Sequence, residues 1–71
     1  MITNGLIGVH LATGVDVEIP LSDYEMQLYH AGGNHQWNTM CESVYKRSGV
    51  EIIDQIQIDY VIINGNKSVF H

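Results

Sequence analysis

The side chains best suited to chemistry sit in the middle of the chain. His30 and His35 flank Gly32-Gly33, with Cys41 and Glu42 downstream. Imidazole and thiolate are zinc ligands. Two histidines five apart across a helix break, however, fit neither an i,i+4 pair on one helix face nor a zinc-finger spacing. A single cysteine and four scattered histidines cannot build a structural zinc cage, so these histidines read as surface groups beside a loop. His10 reads as a half-buried, hydrogen-bonded strand residue, and His71 as a mobile terminus.

Cys41 with a histidine is in principle a nucleophile and its base. Its place on the apolar stripe of a helix instead makes it a protonated, small hydrophobe. Gly5-Leu6-Ile7-Gly8 and Gly32-Gly33 lack the lysine and the spacing of a phosphate-binding loop. Asp16 and Glu18 form a solvated strand face rather than an acid–base pair in a pocket. The residues therefore point to a protein that is not an enzyme, with no metal and no cofactor.

Charge narrows the partners. The 71 residues carry a formal net charge of −5, and only Lys46, Arg47 and Lys67 are positive. Three cations cannot neutralise the phosphates of a duplex, which argues against direct nucleic-acid binding. No apolar run approaches the roughly 20 residues of a membrane span, and the N-terminus lacks the charged-then-apolar order of a signal peptide. The expectation is a soluble, cytoplasmic protein without membrane contact. Residues 1–71 read as a single domain, small enough to bury only about 60% of its unfolded surface. One cysteine allows no intramolecular disulfide, so self-association, a homo-oligomer, is an expected source of extra stability.

The elements that position these groups follow from periodicity and caps. From Val50 to Ile62 the even positions are apolar except Asp54, while Glu51, Gln55, Gln57 and Asp59 occupy odd ones. That period of two predicts a strand with one greasy face. Asn64-Gly65-Asn66 then signals a hairpin. A turn on Gly65-Asn66 pairs Ile62 with Val69, whereas a turn on Asn64-Gly65 pairs Tyr60 with Val69. Upstream, Leu6 to Leu11 and the alternation Val15-Asp16-Val17-Glu18-Ile19 predict a first hairpin that turns at Ala12-Thr13-Gly14 and ends at Pro20.

Between the hairpins, Ser22-Asp23-Tyr24-Glu25 is a capping box, and Leu21 and Met26 sit where a hydrophobic staple belongs. A helix starts near Asp23 and stops at Ala31-Gly32-Gly33. Trp37, Met40, Cys41, Val44 and Tyr45 make the stripe of a second helix. It starts at His35 or Met40, with Asn34 or the Thr39–Glu42 capping box as its cap, and stops at Gly49. The expected fold class is α+β: a small antiparallel sheet of two hairpins, β-β-α-α-β-β, with short helices on one face. Trp37 and the rest of that stripe are expected to cover the greasy strand face.

Surface rather than reactive groups is left to act. Asp16, Glu18, Asp23 and Glu25, with Tyr24 and Tyr29, are candidate partner-binding residues, since acidic fields attract basic surfaces and aromatics anchor interfaces. The segments Gly14-Val15-Asp16-Val17-Glu18-Ile19-Pro20-Leu21-Ser22-Asp23-Tyr24-Glu25 and Tyr60-Val61-Ile62-Ile63-Asn64-Gly65-Asn66-Lys67 together resemble small acidic accessory proteins of phages and mobile elements, anti-CRISPR proteins among them. That resemblance implies an inhibitor that occludes a host defence protein with a basic surface. A different class is an oligomeric binder that sequesters a small ligand such as a nucleotide signal, with Lys46 and Arg47 as the clustered cations. A third is a structural subunit of a larger assembly.

Overall fold

The computed structural model describes residues 2–70; the expectation for His71 lies outside them. The elements run β1 (Gly5–His10), β2 (Asp16–Pro20), α1 (Asp23–Ala31), α2 (Asn34–Ser48), β3 (Ile56–Ile63) and β4 (Asn66–Val69). The strands form one antiparallel sheet in the order β2-β1-β3-β4. This is the expected α+β arrangement, two hairpins set side by side through β1 and β3.

Local chemistry accounts for most boundaries. The Ser22 hydroxyl accepts from the Glu25 amide at 3.2 Å, and the Glu25 carboxylate accepts from the Ser22 amide at 2.8 Å. Leu21 and Met26, the two ends of the staple, are both buried. Gly32 and Gly33 take φ of 77° and 89°, a region other residues rarely enter, so the chain turns there from α1 straight into α2. The second helix therefore starts at Asn34, earlier than either expected start. Gly33 is its N-cap, and no side chain caps it. Thr39 is not a cap: its hydroxyl donates to the His35 carbonyl one turn back. At the other end Gly49, with φ 76°, donates its amide to the Tyr45 carbonyl at 2.8 Å.

The long terminal strand is shorter than its alternation predicts. Residues 50–55 are not strand, and β3 begins at Ile56. The Ile52 carbonyl accepts from the amides of Gln55 and Ile56, and Asp54 sits at φ 62°. Asp54 was the one polar residue on an even position, and short Asp side chains tolerate this left-handed region better than most. Ile52 still enters the core from this turn. Between β3 and β4, Asn64 and Gly65 both have positive φ, 51° and 81°, as the tight I′ turn requires. The hairpin accordingly pairs Ile63 with Asn66 and Tyr60 with Val69.

A bulge divides β3. Ile7 pairs with Tyr60 but Gly8 pairs with Ile58, so Asp59 lies opposite no residue of β1. The extra residue reverses the side-chain phase. Before it, Ile56 and Ile58 face the helices; after it, Val61 and Ile63 do. The simple alternation had put Tyr60 and Ile62 on that face, and the bulge moves them to the other. Gly8 makes the bulge possible: a Cβ there would drive into the Gln57 carbonyl oxygen and lie 3.1 Å from the Ile58 Cα.

The core lies between the sheet and both helices. Leu6, Met40, Val44 and Val61 are fully buried, surrounded by Ile19, Leu21, Met26, Cys41, Ile52 and Ile56. Trp37 is not at its centre. It is half-buried at the margin, its ring 5.4 Å from that of Phe70. Tyr45, expected on the same buried stripe, is 54% exposed. Because the obstruction at Gly8 is backbone, Gly8→Ala should destabilise the fold by about 1–3 kcal/mol, the usual range for overpacking. Chemical denaturation measures this, with Gly14→Ala, in open space on the first turn, as the control for a purely local left-handed strain.

Candidate functional site

The three cations have different fates. Arg47 reaches from the last turn of α2 to Glu25, with Nη2 at 2.7 Å from Oε1 and Nε at 3.4 Å from Oε2, and Nη2 also donates to the Pro20 carbonyl at 2.8 Å. Glu25 is the N3 residue of α1 and is 0% exposed. It also accepts from the Ser43 hydroxyl at 2.7 Å and from the Ser22 amide. Burial alone would push this carboxyl up, but the hydrogen bonds from Arg47, the Ser22 amide and Ser43 outweigh it and hold the carboxyl below its ordinary 4.5. Lys46 pairs with Glu42 one turn away at 2.8 Å, on the surface. Lys67, on β4, lies 4.4 Å from the centre of the Tyr60 ring.

Two sequence expectations change here. Glu25 is not a surface residue available to a partner, because it is sealed between the helices. Arg47 is not a free ligand-binding cation, because that buried carboxylate holds it. Of the eight acidic residues, Glu25 and Glu42 are the two in ion pairs among the described residues. The remaining six, Asp16, Glu18, Asp23, Glu51, Asp54 and Asp59, are all exposed. Asp16 and Glu18 lie on β2, an edge strand, alternating with Val17 and Ile19, which turn to the helices. Asp23 and Tyr24 stand exposed at the start of α1. Tyr29 is half-buried, its ring 6.2 Å from Phe70, and contributes less surface than Tyr24.

The second feature is the sheet face turned away from the helices, which the plain alternation of β3 had concealed. The registers align Glu18, Ile7, Tyr60 and Val69 in one row across the strands, and Pro20, Gly5, Ile62 and Lys67 in the next. Val9 adds to the same face beside Asp16. The result is an apolar patch of Ile7, Tyr60 and Ile62, extended by Val9 between Asp16 and Gln57, with Asp59 exposed on the same strand as Tyr60. Acidic side chains border it on the β2 side, and Val69 with Lys67 on the β4 side. None of these residues is fully buried, and Val69 is 70% exposed. Its signal was present in Tyr60-Val61-Ile62-Ile63, apolar at four successive positions, which is the pattern of a strand covered on both faces.

The remaining candidates do not converge. Tyr29, Trp37 and Phe70, with Leu28, Asn34 and the Gly32-Gly33 backbone, line a shallow cleft of about 290 Å³. Lys46 and Arg47 line a separate open depression with Tyr24, Thr39, Glu42 and Ser43, where Glu42 and Glu25 hold the two cations in ion pairs. Cys41 is buried, and burial pushes its thiol up to about 11, which leaves it protonated and unreactive near neutral pH. Among the described residues no three His, Cys, Asp or Glu side chains gather as a metal site. The His10 Nδ1, expected to be hydrogen-bonded, is buried without a partner. Among the described residues no helix is long and apolar enough to cross a membrane.

The Glu25 network makes two measurable demands. Arg47→Ala leaves a buried carboxylate without its counter-charge and should cost about 3 kcal/mol in denaturant titrations, whereas Lys46→Ala, on an exposed pair, should leave the unfolding midpoint nearly unchanged. A carboxyl depressed on folding stabilises the fold fully above its unfolded value and loses that contribution as the pH drops through its folded one. The wild-type protein should therefore lose stability on acidification below about pH 4.5, and Glu25→Gln should show a flatter profile in the same window.

No protein-family model, curated protein or solved structure matches this chain.

Proposed function

We propose that the chain is a non-enzymatic binding protein that occludes a partner protein with a basic surface, in the manner of phage or mobile-element inhibitors of host defence. The observation that carries this reading is the distribution of charge. Two of the three cations are engaged in ion pairs, while six carboxylates stand exposed without one among the described residues. An outward field of one sign steers a basic partner and speeds its docking. Asp16 and Glu18 on β2 and Asp23 with Tyr24 at the head of α1 are the contacts assigned to that partner; Tyr24, 56% exposed, is the aromatic anchor. A rigid surface is all that occlusion needs, and the buried thiol and scattered histidines offer no competing chemistry.

The test is affinity capture from a bacterial host lysate, followed by titration of the captured protein. The partner should be basic, and its affinity should drop at least about tenfold between roughly 50 and 500 mM salt. Asp16→Asn combined with Glu18→Gln should weaken it further, and Tyr24→Ala should raise the dissociation rate. Binding indifferent to salt and to these substitutions would overturn the reading.

A further inference from the structure

We propose that two copies of this chain associate through the helix-free faces of their sheets, related by a two-fold axis parallel to the strands. The face is of a kind that soluble chains rarely leave uncovered. Strands about 4.8 Å apart, with five or six residues at about 3.4 Å each, give a surface of roughly 20 Å by 18 Å, within the size range that marks interaction sites. Its middle holds Ile7, Tyr60 and Ile62, extended by Val9, with Val69 beside them. The Tyr60–Ile63 run, apolar on both sides of the strand, matches a sheet packed on both faces.

The edges of the sheet are guarded while the face is not. β2 carries Asp16, Glu18 and Pro20, and β4 is only four residues long with Lys67 in it, devices that discourage strand addition at an edge. Growth of the sheet is thus disfavoured, and stacking of two sheets remains.

Charge selects both the occupant and the axis. Asp16 and Glu18 on β2 and Lys67 on β4 lie at opposite edges of this face, and Asp59 stands exposed on β3 between them. A two-fold axis across the strands would lay Asp16 and Glu18 over their own copies, a like-charge clash. An axis along the strands lays β2 of each copy over β4 of the other, so Glu18 meets Lys67 twice. Lys67 leans over Tyr60, and Tyr60 shares its row with Glu18, so the ammonium already points toward that level. A second copy brings Glu18 to Lys67, a counter-charge that a purely basic partner would not supply. The helix layers, with Asp23 and Tyr24, remain on the outside of such a dimer.

The face is small, so association should be weak, with dissociation in the micromolar range. Sedimentation equilibrium of the full chain alone, from roughly 10 μM to 1 mM, should show the mass rising from 8.0 kDa toward twice that value. Val69→Asp alters a side chain outside the core, so circular dichroism should be unchanged while the dimer weakens at least about tenfold. Lys67→Glu should weaken it as well, and Glu18→Lys added to Lys67→Glu should restore it. A mass of 8.0 kDa throughout, or a Val69→Asp variant that dimerises like the wild type, would refute the shared face. A Lys67→Glu variant without effect, or a double variant without rescue, would refute the pairing of β2 with β4. A monomer that instead holds a foreign protein on this face would also overturn the proposal. Asp16 and Glu18 serve both the dimer and the basic partner, so the two compete for β2; sedimentation of the chain alone tests the dimer, and capture from lysate at protein concentrations below the dimer's dissociation constant tests the partner.

Discussion

The carboxylate of Glu25 is the constraint on which the arrangement depends. A charge withdrawn fully from water is tolerated only where donors replace the water, and here four do: the Ser22 amide, the Ser43 hydroxyl, and the Nε and Nη2 of Arg47. Those donors come from the head of α1, the middle of α2 and its last turn. The same guanidinium continues to the Pro20 carbonyl, where β2 ends. One anion thus ties both helices and one edge of the sheet together. Apolar contacts among Met40, Val44, Leu6 and Val61 supply most of the driving force, but they are indifferent to small rotations. The directional bonds to Glu25 are not. A buried ion pair of this kind adds little net stability over an apolar substitute; its contribution here is to fix how α1 and α2 sit on the sheet.

That inward use of Arg47 also determines the outer surface. With one cation bound to Glu25 and another to Glu42, the remaining surface charge is negative apart from Lys67. Internal architecture and surface charge are therefore coupled through the scarcity of positive charge. A sequence with more lysines could form the same helix pair without presenting the same field.

Sequence-local chemistry was legible almost residue by residue. Ser22–Glu25 announced the start of α1, glycines 32, 33 and 49 its end and that of α2, and Asn64-Gly65 the tight turn, because each depends on atoms within a few residues. What could not be read depends on distant partners. Glu25 looked like one more surface acid, since Arg47 and Ser43, which make burial tolerable, lie 22 and 18 residues away. Trp37, the largest apolar side chain, was expected to cover the strand face with the rest of its stripe; helix position puts Met40 and Val44 over the sheet and leaves the indole at the margin with Phe70. Of the candidate surface, Asp16, Glu18, Asp23 and Tyr24 stand exposed, while Glu25 and Arg47 are bound to each other.

The bulge at Asp59 shows why alternation alone misassigned the faces of β3. A strand whose two sides differed strongly in polarity could not absorb an extra residue, since reversing the phase would drive polar groups into the core. Tyr60-Val61-Ile62-Ile63 escapes that penalty because either pair, Tyr60 with Ile62 or Val61 with Ile63, can line the interior. The smaller branched pair goes inside, where Val61 packs against Leu6, and Gly8 leaves room for the displaced backbone. Tyr60 and Ile62 go outside. The same four residues that make the bulge affordable thus leave an apolar surface opposite the helices: the feature that blurs the strand's pattern in the sequence is the one that gives the folded sheet a second face able to bind.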